Sequence, residues 1–324
     1  MSQSPKRPSE TATWRGHARN LLLHGFFIVS AVAVALSLTV RDRFVGASAI
    51  YYSVPLPLAS LVCAALGFAW WKIGKRRLAK VQWTLAVMLG AWLGWGAWQP
   101  REVGAHAKET AAVRILVWDV GAGRLGTERL ATAVAERTPD VAVILQPGTL
   151  ATDAVLWGHK LPEHTLAPLG EDQRVALLVR GSISGARVQR VEGSESFVAT
   201  CRIETTDAEF DLVVADLAMN VLQSHDAAFR VIEQALAECK RPAVLTGGFR
   251  VPRQAAGFDR VRAHLQNAYE SAGAGPRASF PMPLPLWEHD HVWADRSWRV
   301  AEWSSPWTTC ALSRPVLSVL TRRD

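Results

Sequence analysis

Apolar and polar positions fall into two regimes along this chain. Three long uncharged runs, residues 21–40, 44–71 and 81–100, dominate the N-terminal third. An apolar helix needs about 20 residues to cross the hydrocarbon core of a bilayer, and each run has that length. A cleaved signal peptide is the competing reading of the first run. Its apolar stretch exceeds the roughly 7–15 residues of a signal core, and two further runs follow, so an uncleaved three-helix anchor is expected over residues 20–100. Pro55 and Pro57 fall early in the second run, as a kink or as a helix that starts only after them.

Beyond a polar linker at residues 101–112, the pattern shortens to alternating strand and helix signals. Residues 113–118 (VRILVW) and 141–145 (VAVIL) read as buried strands, with an amphipathic helix over 125–137 between them. Residues 174–179, 197–203, 210–215, 243–245, 291–293 and 315–320 are further strands, rich in β-branched or apolar side chains. Helices are predicted over 224–239, where Phe229, Ile232 and Leu236 recur at helical spacing, and over 258–268. Short strands outnumber helices, which suits a mixed sheet or sandwich with covering helices, and residues 113–324 are ample for one core.

Charge separates the same two regimes. Residues 1–110 carry 13 Lys/Arg against 4 Asp/Glu, or +9, whereas residues 111–324 carry 23 against 25, or −2. The basic excess therefore reports topology, not affinity for nucleic acid, which would place it on the folded domain. Lys6, Arg7, Arg15 and Arg19 precede the first run, and Lys72, Lys75, Arg76, Arg77 and Lys80 separate the second from the third. The positive-inside rule keeps the tail (residues 1–19) and that loop cytoplasmic, so three crossings deliver the C-terminal domain outside a bacterial inner membrane. Trp70, Trp71, Trp83 and Trp98 sit near span ends, as interfacial anchors. With no intramembrane carboxylate, a transport function is disfavoured. Cys63, Cys201, Cys239 and Cys310 match no zinc spacing and read as free or partly paired thiols.

Six short motifs carry the chemistry. Val117-Trp118-Asp119-Val120 ends the first soluble strand. Pro139-Asp140-Val141 leads to Ile144-Leu145-Gln146-Pro147, and Val213-Val214-Ala215-Asp216-Leu217 ends a later strand. Gly247-Gly248-Phe249-Arg250 follows the strand at 243–245. Ser279-Phe280-Pro281 precedes Asp290-His291, and Ala311-Leu312-Ser313-Arg314-Pro315-Val316 closes the chain. In this order the motifs resemble the endonuclease/exonuclease/phosphatase superfamily, with its DNase-I-like fold, over residues 113–324. The three-span layout is similar to a bacterial membrane-anchored branch of it. The resemblance implies an α/β protein: the transmembrane region followed by a four-layered α/β/β/α sandwich.

It also implies a metal-dependent phosphoesterase in which most working positions are replaced. The family's Gly-Asp-Phe-Asn is here Gly-Gly-Phe-Arg, so Gly248 stands for the Asp that orients water and Arg250 for the phosphate-holding Asn. Pro147 replaces a metal-binding Glu. Asp216 replaces a phosphate-contacting His. Leu312 and Ser313 replace the terminal Asp-His. Magnesium requires oxygen ligands, and neither Pro147 nor Leu312 offers a side-chain oxygen. No metal cofactor is therefore expected, with Asp119 the single weak candidate ligand. Asp290 and His291 are retained family positions, expected to serve structure: a strand-end acceptor and a packed imidazole. Arg250 either holds an anion bidentately or lies in a surface loop.

Two readings follow. One is a catalytically degenerate, membrane-tethered extracytoplasmic domain that binds an anionic ligand, a lipid headgroup or a protein. The other is a Mg²⁺-dependent phosphodiesterase or phosphatase using Asp119, Asp216 and Asp290 as a new carboxylate set. The second requires those carboxylates to converge on a common point with no arginine between them. A slightly acidic domain across the membrane from the chromosome makes nucleic acid an unlikely partner.

Overall fold

The structure, a computed structural model, describes residues 10–43, 45–53, 56–97, 112–121, 126–220 and 223–323. The first nine residues of the tail expected to be cytoplasmic, Pro55, Trp98 and nearly all of the expected linker lie outside them. The chain divides into two compact units, Met1–Gly96 and Ala97–Asp324.

The first unit is helical: α1 (Glu10–Thr39), α2 (Val45–Ser53), α3 (Leu56–Lys72) and α4 (Arg76–Ala97). Among the described residues, only α1 is by itself long and apolar enough to cross a membrane, over His17–Leu36 with a mean hydropathy of 1.7. The second expected span is broken into α2 and α3, which pass the same test only as one pair bent by 79°. The third, α4, begins on Arg76, Arg77 and Lys80 and carries Gln82 and Thr84, which dilute its apolar character. Three equivalent spans are thus reduced to one, with a bent pair as a second. Ala59, Cys63 and Leu89 pack together with Val34 and Leu85. A Cβ at Gly67 would lie 2.4 Å from Trp83 Cδ1, so only glycine lets that indole seat. Trp70, expected at an interface, is buried at 1 % exposure.

The second unit contains two six-stranded sheets. Its strands are β1 (Ala112–Asp119), β2 (Val141–Leu145), β3 (Thr165–Leu169), β4 (Val175–Val179), β5 (Gly181–Arg190), β6 (Phe197–Thr205), β7 (Glu209–Asp216), β8 (Ala243–Gly248), β9 (Leu265–Asn267), β10 (Asp290–Asp295), β11 (Trp298–Ser304) and β12 (Val316–Arg322). One sheet has the order β11-β12-β1-β2-β4-β3 and the other β5-β6-β7-β8-β10-β9. Helices α5 (Thr127–Ala135), α6 (Ala154–Lys160), α7 (Asp226–Glu238), α8 (Phe258–His264) and α9 (Ala268–Ala272) complete it.

Side-chain parity explains the layering, because successive residues of a strand face opposite sides. Val113, Ile115 and Val117 of β1 join Val141, Val143, Val175 and Leu177 in a core shared with Phe197, Leu212, Val214, Val244 and Val292 of the other sheet. The alternate residues Leu116, Trp118, Ala142, Ile144, Ala176 and Leu178 face the opposite way and pack on Leu130 and Val134 of α5 and Trp157 of α6. Strands buried on both faces read as continuous apolar runs, as β2 and β4 do. Beyond the second sheet, Phe229 of α7 meets Phe258 of α8 edge to face at 4.8 Å. A helix expected over 258–268 is cut at His264, where Leu265–Asn267 pairs with β10 as β9 before α9 begins.

Candidate functional site

The same parity carries the motif residues to one place. Asp119 and Leu145 continue the inward series of β1 and β2, while Asp216, Gly248 and Asp290 continue those of β7, β8 and β10. Register aligns them: Asp216 pairs with Gly248, Gly248 with Asp290, and on the facing sheet Asp119 with Leu145. Three adjacent strands of one sheet therefore present Asp216, Gly248 and Asp290 in a row across the end of the seam, opposite Asp119 and Leu145.

The missing side chain at Gly248 is filled from across the seam. A Cβ there would lie 2.8 Å from Leu145 Cδ1, with Asp216 Oδ1 at 3.7 Å and Asp290 Oδ1 at 3.8 Å. Gly248 is thus required for space, whereas its neighbour Gly247 is required for conformation, with φ of 141°.

Arg250 closes the seam. Phe249 N and Arg250 N both donate to His289 O, at 2.8 and 3.1 Å, and Arg250 takes φ of 54°. This left-handed geometry is uncommon in a non-glycine residue and turns the side chain inward. Only 4 % of that side chain is exposed. Its Nη1 lies 2.6 Å from Asp216 Oδ1 and also donates to Leu217 O, while Nη2 lies 3.1 Å from Asp119 Oδ2. Arg174, just before β4, sets its Nη2 2.7 Å from Asp216 Oδ2. Two guanidinium groups and two carboxylates therefore alternate across the two sheets.

Electrostatics follow from that alternation. Burial opposes the charge of Arg250, but Asp216 and Asp119 more than offset it and hold its pKa above the ordinary arginine value. Burial pushes the Asp119 carboxyl up, with Arg250 opposing. Asp290 has no cation in contact. Burial, and then the charge of Asp119, hold its carboxyl well above the usual carboxylate range. It accepts a hydrogen bond from Ser279 Oγ at 3.1 Å through Oδ2, while its Oδ1 has no hydrogen-bond partner.

The remaining candidates surround this network. His291 is 2 % exposed, its Nε2 lies 2.8 Å from Val251 O, and its ring packs edge-on against Phe249 and Phe258. Burial keeps its pKa low, so it is a neutral packed imidazole. Ser313 donates from Oγ to Asp119 O at 2.5 Å, and its own carbonyl accepts from Trp118 Nε1 at 2.9 Å. Pro147 is buried, and Leu312 is 42 % exposed. Motif reading did not find Arg174, a lone arginine far from any motif. It also missed His289, which stacks on Phe280 at 4.8 Å and whose pKa burial lowers to about 3.

A divalent ion does not fit this donor set. The guanidinium of Arg250 lies on both Asp119 and Asp216, burial disfavours charge on Asp290, and Pro147 and Leu312 carry no side-chain oxygen. Among the described residues, no group of three or more His, Cys, Asp or Glu side chains is placed to hold a metal. Arg250, read from sequence as either an anion holder or a surface-loop arginine, is instead buried and meets two anions of its own chain.

No family model and no curated protein matches the chain. Solved structures do. An endonuclease/exonuclease/phosphatase family protein from Bacteroides thetaiotaomicron is 13% identical with a TM-score of 0.53, over 64% of this chain and 97% of its own. A second from Bacteroides vulgatus is 14% identical, TM-score 0.53, over 66% and 100%. D. rerio TDP2, solved with a single-strand DNA product, is 11% identical, TM-score 0.53, over 65% and 99%. The C-terminal unit therefore has the DNase-I-like fold of endonuclease/exonuclease/phosphatase family proteins.

Proposed function

We propose that the C-terminal domain is a catalytically silent member of this fold class, tethered to a membrane and acting as a binding module for an anionic ligand, a lipid headgroup or a protein. The reading rests on Arg250. A guanidinium paired at 2.6 Å with Asp216 and at 3.1 Å with Asp119 occupies the space that a relocated carboxylate set needs for its ion. The competing phosphodiesterase reading, with Asp119, Asp216 and Asp290 on Mg²⁺, requires that space to be free. Support for a membrane tether comes from the apolar α1 and from the bent α2–α3 pair as a second candidate span. The extracytoplasmic side of a bacterial inner membrane is the reading of the basic residues between Lys72 and Lys80, expected on a cytoplasmic face.

The test uses the full chain in detergent micelles, with Mg²⁺ or Mn²⁺, on single-stranded DNA, a phosphoinositide and bis-p-nitrophenyl phosphate. No turnover above the protein-free rate is expected. Metal-dependent turnover abolished by Asp119→Ala or Asp290→Ala overturns the proposal.

A further inference from the structure

In the helical unit, a groove of about 320 Å³ runs between α1, α3 and α4. Phe27 and Ala31 of α1, Cys63 of α3, and Gln82, Leu89 and Trp92 of α4 line it. From Gln82 to Trp92 it follows α4 for about 15 Å, half the depth of a hydrocarbon core about 30 Å thick. Spread over that length, the volume gives a cross-section of roughly 20 Å², about a quarter that of a helix ~10 Å across. The groove therefore admits one extended chain and not a partner helix.

One end of the groove is basic. On each helix the lining face continues to one more residue there: His24 before Phe27, Trp70 after Cys63, and Lys75 before Gln82, all at helical spacing. The three meet. The rings of His24 and Trp70 lie 4.7 Å apart, and Lys75 Nζ lies 5.4 Å from the centre of the Trp70 ring. Lys75 and Lys72 are both exposed, and Lys72 Nζ sits 5.3 Å from the Phe68 ring. Arg76, Arg77 and Lys80 follow, and the sequence has no acidic residue between Asp42 and Glu102, so nothing in that segment neutralises these cations. An apolar slot one leaflet deep with positive charge at its mouth complements an anionic amphiphile, since basic residues between helices at a membrane surface attract anionic headgroups. We propose that this groove seats one acyl chain of an anionic phospholipid, with the lipid phosphate held by Lys75. The assignment rests on the membrane tether proposed above and is independent of whether the seam catalyses.

The experiment reconstitutes the full chain in phosphatidylcholine vesicles, confirms by flotation that it is embedded, and measures electron paramagnetic resonance of chain-spin-labelled phosphatidylglycerol and phosphatidylcholine. Phosphatidylglycerol should be motionally restricted by the protein at least about fivefold more strongly than phosphatidylcholine. Lys75→Gln should weaken that preference about fivefold. Lys80→Gln removes the same charge two residues from Gln82, on the opposite side of α4, and should leave the preference unchanged. Ala31→Trp fills the groove without altering charge and should remove the preference. Equal restriction of the two lipids, equal losses in Lys75→Gln and Lys80→Gln, or an undiminished preference in Ala31→Trp overturns the site while the tether stands. A chain that does not float with the vesicles overturns the tether, and the site with it.

Discussion

Replacing Arg250 with methionine tests the reading of the seam most directly. The change keeps an unbranched side chain of similar reach but removes the charge and every donor. Asp216, whose side chain is fully buried, keeps Arg174 at 2.7 Å, whereas Asp119, 16 % exposed, loses the one cation in contact with it among the described residues. Breaking a buried ion pair by removing one partner costs about 3–5 kcal/mol, because the other charge is left uncompensated. Partial exposure of Asp119 and the surviving Arg174 contact place this case toward the lower figure. For a unit of this size each kcal/mol moves the melting temperature by about 2–4 °C, so a fall of roughly 6–12 °C is expected by intrinsic-fluorescence melting in detergent. Adding Asp119→Asn should recover most of the loss, since it removes the stranded charge. A divalent ion should then stabilise Arg250→Met, where the Asp119 carboxylate and one oxygen of Asp216 are released, and leave wild type unchanged. If Arg250→Met melts within a degree or two of wild type, or if Mg²⁺ stabilises wild type as strongly, the guanidinium does not hold the seam together.

Three further outcomes follow from the same geometry. Gly248→Ala should cost about 1–3 kcal/mol through overpacking against Leu145, and Gly248→Asp more, by setting a third carboxyl between Asp216 and Asp290; recovery of Gly248→Ala in the Leu145→Ala background identifies the clash. Asp290 titrates above its unfolded pKa of about 4, so the folded state keeps a proton that the unfolded chain releases, and stability falls as pH rises through that interval and levels off above the folded pKa. Asp290→Asn should lack this slope: its melting temperature relative to wild type should increase with pH, and a pH-independent difference contradicts the assignment. The cysteines are free, with burial pushing the Cys201 thiol up to about 12 and the Cys239 thiol up to about 11. Labelling of the soluble unit by a thiol reagent near neutral pH should run at least two orders of magnitude slower than for an exposed cysteine, and denaturation should restore the fast rate.

What could be read from the sequence followed burial. The interior strands were legible because burial on both faces writes apolar runs such as VAVIL and VRILVW. All four edge strands, β3, β5, β9 and β11, escaped notice. An edge strand lacks a neighbour on one side, and β5 is almost entirely exposed, so GSISGARVQR carries no alternation to detect. The site divided in a similar way. Asp119, Asp216, Gly248, Asp290 and Ser313 lie in or beside strand ends, where motif order located them. The arginine bridge did not follow from order, because it depends on a positive φ at Arg250 and on Arg174 arriving from the opposite sheet. The anchor was over-read for a different reason. Uncharged length alone took no account of Gln82 and Thr84 within α4, and the second run, where a kink or a late start was expected, separates into α2 and α3.

The salt-bridged seam also constrains how this sequence can change. Placing an acid at Gly248 alone adds negative charge beside Asp216 and Asp290, and removing Arg250 alone strands Asp119. Each single step toward an acidic cage therefore passes through a less stable protein, and only coordinated replacements reach it. An internal counter-ion of this kind makes the seam resistant to change one residue at a time.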